Sequence, residues 1–365
     1  MKSFGVCLHP LDKLLPSTKY RLHAHKGATL GCLGACERAY YGHKYSPHPF
    51  KLACIWLLSV SHRMPAEKPQ QLWLVNPRSG GCAGERLLEQ LRLCPGVRAE
   101  PLDFGRLPEQ IETARASSRL VIAGGDGTFS AVLSSPLLGN TPVVCMPLGT
   151  ANDLARELGL RDLVRRAKIE ELPGIFSSLP LKPIAIWQAR SGSRIMPFCN
   201  YLALGFEGAV VRDFSSWRAN ARWTSRAANR LRYSLYGTRR MFFRLTGLEL
   251  SVDGAPARAC PSGVGLLVSN IRSHLGLGLS NHGGSPFDDT VECIVPSTIL
   301  TYVRMVAASL RLASAPAPFV AGRALRIGGV LPGTPLQIDG EAQAPLQDRE
   351  LEVSLLRFAH VAILA

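Results

Sequence analysis

From residue 72 onward, short apolar runs alternate with segments of helical periodicity. The runs "LWLVN", "LVIAG" and "TPVVCMPLG" are predicted strands, and each is followed by a segment with the apolar spacing of an amphipathic helix. Regular alternation of buried strands and helices favours a parallel sheet with crossover helices, in which ligands bind at the carboxyl ends of the strands. Each of these three predicted strands ends in a glycine-bearing turn, so the sequence predicts a ligand site where the turns meet.

After about residue 180 the pattern changes. Strand-like segments from "PIAIWQAR" to "LEVSLLRFAHVAIL" are separated by turns and interrupted by helical stretches near residues 219–245 and 299–314. Many short strands divided by turns predict an antiparallel β domain. Residues before 70 have no sustained period, and Met64 opens a segment that leads into the first strand. We predict a poorly ordered or spurious extension over 1–69, a nucleotide-binding domain over 70–195 and a β-rich substrate domain over 196–365.

The composition describes a globular protein. The chain has 365 residues, 46% of them hydrophobic, and no apolar run reaches the roughly 18 to 20 residues of a membrane span. Ten scattered cysteines fit reduced thiols in a cytoplasmic protein better than a disulfide framework. The net charge of +15 favours an anionic partner such as a nucleotide or a membrane surface. No recognition motif for nucleic acid accompanies it, so we expect no nucleic-acid partner.

The three turns carry the residue types of a phosphate site. Backbone N–H groups at the start of a helix bind phosphate, and glycines let the backbone approach it closely. Each turn taken singly is also compatible with an ordinary helix cap, but three at successive strand ends favour a phosphate site. The candidate residues, which the resemblance described next implies to be nucleotide-binding, are Asn76, Ser79 and Gly80 in the first turn, Gly124, Gly125, Asp126, Gly127 and Thr128 in the second, and Gly149, Thr150, Asn152 and Asp153 in the third.

Several motifs occur together in a specific order. "NPRSGG", "GGDGT", "PLGTANDLAR", "CNYLALGFEGAVV", "LVSNIRSHLGLGL" and "LQIDGE" resemble the catalytic domain of the diacylglycerol kinase and sphingosine kinase superfamily, and "PLGTANDLAR" is most similar to its soluble bacterial lipid kinases. The resemblance covers about residue 72 to the C-terminus. It implies an α/β fold of the NAD kinase and diacylglycerol kinase type, with a Rossmann-like parallel-sheet N-terminal domain and a C-terminal antiparallel β-sandwich. It also implies transfer of the γ-phosphate of ATP to a lipid hydroxyl.

The resemblance implies roles for four carboxylates. Asp126 would act on the ATP phosphates through Mg²⁺, and Asp339 would be the general base on the substrate hydroxyl. Glu341 would assist metal binding or positioning, and Asp289 would be a ligand of a structural magnesium. Asp339-Gly340 is equally compatible with a hairpin turn when it is considered without the upstream motifs. Thr290 departs from the family's usual Asp-Gly turn and leaves the structural magnesium site open.

Two alternatives remain open beside the lipid kinase. An NAD kinase-like enzyme shares the "GGDGT" turn but lacks "PLGTAND" and the late "DGE" in these positions, which favours the lipid kinase. A catalytically degenerate nucleotide- or membrane-binding protein is suggested by Ser130 and Ala131, where the family usually has an Asn-Glu pair. Retention of Asp126, Asp339 and Glu341 counts against degeneration. Homodimerisation is left open.

A basic segment over residues 214–245 suggests a membrane surface. It contains eight arginines and no acid, and Arg218, Arg222, Arg226 and Arg230 recur every four residues. On a helix this spacing makes a basic stripe, and the interspersed aromatic residues suit a headgroup boundary. We therefore predict peripheral association with an anionic membrane that presents the lipid substrate. A solvated helix face with its aromatic residues in the core is the alternative.

Overall fold

The computed structural model describes residues 71–220, 226–279 and 283–364. The predicted extension over 1–69 lies outside these residues, so its character stays a prediction. Among the described residues no helix is long and apolar enough to cross a bilayer.

A parallel sheet forms the part of the fold that the strand–helix alternation predicts. Its strands are β1 (Gln71–Val75), β2 (Val97–Pro101), β3 (Leu120–Gly124) and β4 (Val143–Pro147), in the spatial order β2-β1-β3-β4. Strands β1 and β3 are buried at every position, as their apolar runs predict. The predicted strands do not include β2, because this edge strand reads "VRAEP", has no fully buried residue and therefore lacks an apolar run.

Helices follow these strands and cover the sheet. They are α1 (Ala83–Leu91), α2 (Leu107–Ala114), α3 (Asp126–Leu133), α4 (Asp153–Glu157), α5 (Leu160–Arg166) and α6 (Leu172–Ser178). The spacing of Leu87, Leu88 and Leu91 gives α1 one apolar face, and all three side chains are buried in the core. Helix α3 begins at Asp126 directly after Gly125, so the second glycine turn is also the first turn of this helix. The start of α3 therefore lies at the carboxyl end of β3.

The second half of the chain forms two antiparallel layers. One layer contains β5 (Leu181–Ser191), β6 (Arg194–Phe198), β8 (Glu249–Val252), β9 (Arg258–Ala259), β15 (Ala324–Gly328) and β18 (Leu351–Ala362). The other contains β7 (Tyr201–Gly205), β10 (Gly265–Ser269), β13 (Val291–Ile294), β14 (Val320–Gly322), β16 (Leu336–Ile338) and β17 (Glu341–Ala342). Trp187, Leu266 and Leu325 belong to one buried cluster drawn from both layers. The two layers therefore share a core, as in a β-sandwich.

Strand β18 joins the two halves. Its Val361 pairs in parallel with Val143 of β4, while most of the strand pairs in antiparallel register with β5. Parallel and antiparallel strands thus form one ten-stranded sheet. The predicted fold class is confirmed. The predicted domain boundary between residues 195 and 196 stays a prediction, and strands from both sides of that boundary belong to this sheet.

Three longer helices and a small ribbon complete the second half of the described chain. The helices are α7 (Phe206–Asn220), α8 (Arg226–Arg239) and α9 (Ile299–Ser309), and the ribbon pairs β11 (Ser273–His274) with β12 (Gly278–Leu279). Helix α7 begins earlier than the predicted helical stretch, and α9 ends five residues sooner. Of the predicted arginine stripe, Arg222 and the side chains of Arg226 and Arg230 lie outside the part that the structure describes. The stripe stays a prediction.

Candidate active site

The three glycine turns meet at one cavity. It encloses about 650 Å³ at the carboxyl ends of the parallel strands. Most of the residues predicted from the sequence line it: Asn76, Ser79, Gly80, Gly125, Asp126, Gly127, Thr128, Gly149, Thr150, Asp339 and Glu341. Predicted residues that do not line it are Gly124, Asn152, Asp153 and Asp289. The structure therefore brings the turns together with the late "DGE" segment, more than 180 residues away in the chain.

Close backbone packing explains the glycines in these turns. A methyl group at Gly149 would lie 2.7 Å from the Cα of Gly125, and one at Gly80 would lie 2.5 Å from the carbonyl oxygen of Leu148. Both distances are far inside van der Waals contact, so a larger residue at either position would separate the turns. The backbone amides of Leu148 and Gly149 also donate to the carbonyl of Gly124, at 2.7 and 3.1 Å. Gly124 therefore ties the turns together without lining the cavity.

Side-chain hydrogen bonds fix the first turn against the second. The Asn76 amide nitrogen donates to Thr128 Oγ1 at 3.0 Å, and its carbonyl oxygen accepts from the backbone amide of Arg78 at 3.1 Å. Asn76 follows β1 and Thr128 lies in the first turn of α3, so this bond connects neighbouring strand ends. The two residues hold the wall of the cavity in a defined position.

Asp126 is a buried carboxylate at the base of the cavity. Its oxygens accept from the backbone amides of Asp153 and Leu154, both at 3.0 Å, at the start of α4. Burial, and then the nearby charge of Asp153, raise the pKa of Asp126 to about 7, although the two amides favour its charged form. The side chain is only 8% exposed. Asp126 therefore faces the cavity while it anchors the third turn.

Asn152 and Asp153 shape the third turn from behind. Asn152 has a left-handed φ of 52°, and its side-chain amide donates to the carbonyl of Gly149 at 2.6 Å. Asp153 accepts from Ser273 Oγ at 2.5 Å and from the backbone amide of Gly276 at 3.0 Å. Burial raises the pKa of Asp153. These contacts tie the third turn to the β11 ribbon of the other half.

The "DGE" segment is a tight hairpin turn between β16 and β17. Asp339 and Gly340 both have positive φ, at 49° and 82°. The Asp339 carboxylate accepts from the backbone amides of Cys199, Asn200 and Tyr201 at 2.9, 2.9 and 3.0 Å. Burial raises the pKa of Asp339, and these three amides oppose that rise. Asp339 therefore fixes the hairpin to the segment between β6 and β7.

Glu341 has a different environment from the two aspartates. It is exposed on the cavity side of the hairpin, and its Cγ lies 3.3 Å from the position of a methyl group at Gly127. Desolvation in the cavity raises the pKa of Glu341, and the charge of Arg218 opposes that rise. Among the described residues no hydrogen bond to its carboxylate is formed. The Glu341 carboxylate oxygens are thus able to accept hydrogen bonds from a molecule in the cavity.

Among the side chains of the cavity lining that sequence reasoning missed are two arginines and one aromatic residue: Arg78, Arg218 and Phe104. Arg78 lies inside the quoted "NPRSGG" motif, where its charge was a signal for phosphate. Phe104 follows the unpredicted strand β2 and is 54% exposed. Arg218 belongs to the predicted basic stripe, but the structure places it on α7 facing the cavity. The cavity therefore contains two cations and one exposed aromatic ring.

Asp289 lies elsewhere. Its carboxylate pairs with the Arg323 guanidinium at 3.0 Å, and both side chains are exposed. Within the described residues, no cluster of three His, Cys, Asp or Glu side chains is placed to hold a metal ion. The role of Asp289 as a structural magnesium ligand therefore stays a prediction.

Several known proteins are similar to this chain in sequence. Residues 70–172 match the family model of the diacylglycerol kinase catalytic domain. Diacylglycerol kinase 2 of Arabidopsis thaliana is 28% identical over 244 residues, which cover 58% of this chain and 34% of that protein. Diacylglycerol kinase theta of Mus musculus is 27% identical over 357 residues, which cover 86% of this chain and 38% of that protein. The chain thus spans little more than a third of the length of these two relatives.

A solved structure supports the fold. A diacylglycerol kinase from Bacillus anthracis str. Sterne superposes with a TM-score of 0.54 at 16% identity, covering 81% of this chain and 97% of that one. This likeness concerns the fold, and the cavity lies at the carboxyl ends of its parallel strands. Residues 70–172, which contain the three glycine turns, are therefore similar to the diacylglycerol kinase catalytic domain.

Proposed function

We propose that this protein is an ATP-dependent lipid kinase that transfers the γ-phosphate of ATP to a lipid hydroxyl at a membrane surface. The observation that carries the proposal is the convergence of three glycine turns and the "DGE" hairpin on one cavity of about 650 Å³. This volume suits a nucleotide together with the reacting end of a second substrate. The matched catalytic domain and the names of the relatives support a diacylglycerol-like or sphingoid-like hydroxyl as acceptor.

The walls of the cavity suit a polyphosphate. Backbone amides of the second turn lie at the start of α3, where the helix dipole favours an anion. Arg78 and Arg218 add positive charge. Phosphoryl transfer depends on charge neutralisation and on alignment of the reacting oxygens more than on covalent chemistry. We infer that the turns and the two arginines bind and align the ATP phosphates.

A carboxylate of the cavity fits a nucleotide-bound Mg²⁺. Magnesium is commonly held by one or two carboxylates together with substrate phosphates and water, so it does not require a cage of protein ligands. Asp126 lines the cavity and would hold the ion together with the phosphates. When bound, Mg²⁺ neutralises charge on the transferred phosphoryl group.

For the proton of the lipid hydroxyl, we propose Glu341 as the acceptor. Asp339, the general base that the family resemblance implies, has both oxygens bound to backbone amides that stabilise its charged form. Glu341 is directed to the cavity. Its pKa is raised by desolvation, and a general base is most effective when its pKa lies near the working pH. Asp339 then serves as the positioning residue that fixes the hairpin from which Glu341 projects.

Transfer of labelled γ-phosphate from ATP tests this function. The full chain is incubated with mixed micelles that contain diacylglycerol, a sphingoid base, phosphatidylglycerol or a polyprenol, and NAD is offered separately. We expect phosphorylation of at least one lipid and none of NAD. Phosphorylation of NAD alone would instead support an NAD kinase-like enzyme. ATP binding without transfer to any acceptor would support the catalytically degenerate alternative.

A further inference from the structure

Helix α9 exposes apolar side chains on the face that points away from the core. Tyr302, Met305 and Ala308 are buried against the rest of the fold. Leu300 and Val303 on the other face are 75% and 54% exposed. An amphipathic surface helix normally places charged or polar residues on its outer face. Helix α9 is thus apolar both toward the core and toward solvent.

The exposed apolar residues continue beyond the helix. Leu310, at the end of α9, is 46% exposed, and Leu312 is 77% exposed. With 3.6 residues per turn, positions 300, 303 and 310 lie on one side of the helix. Single exposed leucines are common on protein surfaces, but a contiguous stripe marks an interaction site.

Phe242 is a further exposed apolar residue, in a turn that contacts the segment before α9. It is 84% exposed in the turn after α8. Two residues later, the Arg244 guanidinium donates to the carbonyl of Ser297 at 3.1 Å, directly before α9. This bond holds the turn next to the start of α9. We call Phe242, Leu300, Val303, Leu310 and Leu312, with the arginines described next, the α9 surface.

The chain segment that contains α9 carries basic but no acidic residues. Residues 293–338 contain no aspartate or glutamate. Arg304 and Arg311 are both exposed within the stripe, and Arg304 is held by a hydrogen bond to the carbonyl of Ser314 at 2.9 Å. An apolar strip with interspersed cations complements a surface that is apolar in depth and anionic at its rim.

We propose that the α9 surface docks this protein on an anionic lipid bilayer. Apolar side chains enter the boundary between headgroups and acyl chains, while Arg304 and Arg311 contact the anionic headgroups. A second copy of the chain is a poorer occupant, because a symmetric contact would bring the arginines of both copies close together. The role in catalysis rests on the proposed lipid kinase function, but docking itself can be measured without any turnover.

Vesicle sedimentation with the full chain tests the proposal. Phosphatidylcholine vesicles in which about one lipid in three is phosphatidylglycerol are compared with pure phosphatidylcholine vesicles. We expect Leu300→Gln/Val303→Gln/Leu312→Gln to weaken binding to the anionic vesicles at least about tenfold. Arg304→Gln/Arg311→Gln should weaken it about tenfold as well, and should abolish the preference for anionic vesicles.

A matched variant controls for general loss of apolar surface. Leu93, Ile195 and Leu331 are 86%, 53% and 58% exposed at other places in the fold. Their replacement by Gln should leave vesicle binding unchanged. Equal binding by wild type and the α9 triple variant would overturn the proposal, as would a wild-type dimer that the triple variant dissociates.

Phosphorylation of a dispersed short-chain diacylglycerol separates docking from function. We expect the α9 variants to retain this activity and to lose activity on vesicles only. Vesicle binding by a protein that phosphorylates no lipid would contradict the proposed function and leave the docking surface standing. Equal activity losses on dispersed and vesicular substrate would overturn the docking role.

Discussion

At the scale of single residues, the carboxylates of the cavity differ in how much of their hydrogen-bonding capacity is already used. Asp339 is held by three backbone amides and Asp126 by two, whereas Glu341 projects into the cavity from the hairpin. Asp126 and Asp339 therefore support the structure of the site in addition to any contact with substrate. Within the described residues, the Glu341 carboxylate accepts no comparable hydrogen bond from a backbone amide.

Glu341→Gln should lower kcat by roughly two to four orders of magnitude, the usual effect of losing a general base. The melting temperature and the ATP affinity should stay close to those of the wild type, since the side chain is exposed. Asp339→Asn should lower both activity and melting temperature, because an amide group would face backbone donors. Glu352→Gln on the exposed side of β18 serves as the control. A near-normal kcat in Glu341→Gln would remove it from the proton-transfer role.

Phe104 gives a second prediction at this scale. It is the exposed aromatic side chain among the lining residues, and a stacked base contributes roughly 1 to 3 kcal/mol. Phe104→Ala should raise the KM for ATP about tenfold with little change in kcat, and Phe104→Trp should restore it. Inhibition by inorganic tripolyphosphate, which has no base, should be unaffected. Phe358→Ala, also exposed, is the control. Equal weakening of ATP and tripolyphosphate binding would contradict base stacking.

At the scale of elements, strand β13 contains a buried carboxylate outside the cavity. Glu292 is 6% exposed, and its Oε2 has no hydrogen-bond partner within the described residues. Burial, and then the charge of Asp288, raise the pKa of Glu292 from 4.5 to about 7. The folded protein therefore keeps a proton that the unfolded chain releases. Stability should fall as the pH rises from about 4.5 to about 7.

Glu292→Gln removes this titration and should raise the melting temperature by a few degrees at pH ~8. At pH ~3.5 the variant and the wild type should melt at nearly the same temperature, because Glu292 is then largely protonated in both states. Thermal unfolding followed by circular dichroism at the two pH values measures the difference. Glu249→Gln, exposed on β8, should show no such dependence. A stabilisation of the same size at both pH values would contradict the ionisation argument.

At the scale of the whole molecule, the third glycine turn is connected to the β-rich half through α4. Arg156 of α4 pairs with Asp153 at 3.5 Å and donates to Ser273 Oγ at 3.1 Å and to the carbonyl of Gly276 at 2.5 Å. Both charged side chains are largely buried. This cluster holds the turn that lines the cavity against the β11 ribbon of the other half.

Removal of the arginine should be costly, because the buried Asp153 would lose an ion-pair partner and the carbonyl of Gly276 would lose its charged donor. Arg156→Ala should lower the free energy of unfolding by roughly 3 kcal/mol or more, measured by urea denaturation. The pair Asp162–Arg165 on α5 has the same spacing but is about 70% exposed at both side chains. Arg165→Ala should change stability by less than about 0.5 kcal/mol. Similar losses in both variants would refute the buried connection.

Much of the parallel sheet was predictable from the sequence, because buried strands such as "LVIAG" and amphipathic helices such as α1 leave strong local patterns. The edge strand β2 has no such pattern, because its residues are partly exposed to solvent and are not mainly apolar. Phe104 was missed for the same reason, as it follows β2. Arg218 was assigned to a membrane stripe because its spacing on a helix does not reveal which way the helix faces.

The sequence by itself determined which residue types stand at the ends of the parallel strands, since glycine turns, helix starts and the "DGE" hairpin are local features of the chain. Only the tertiary structure decided the burial and the hydrogen-bond partners of each of these residues. Burial and backbone amides, supplied by residues far away in sequence, turn Asp126 and Asp339 into anchors and leave Glu341 directed to the cavity. The reason is physical: desolvation and hydrogen-bond partners depend on packing across the fold, which no local pattern encodes.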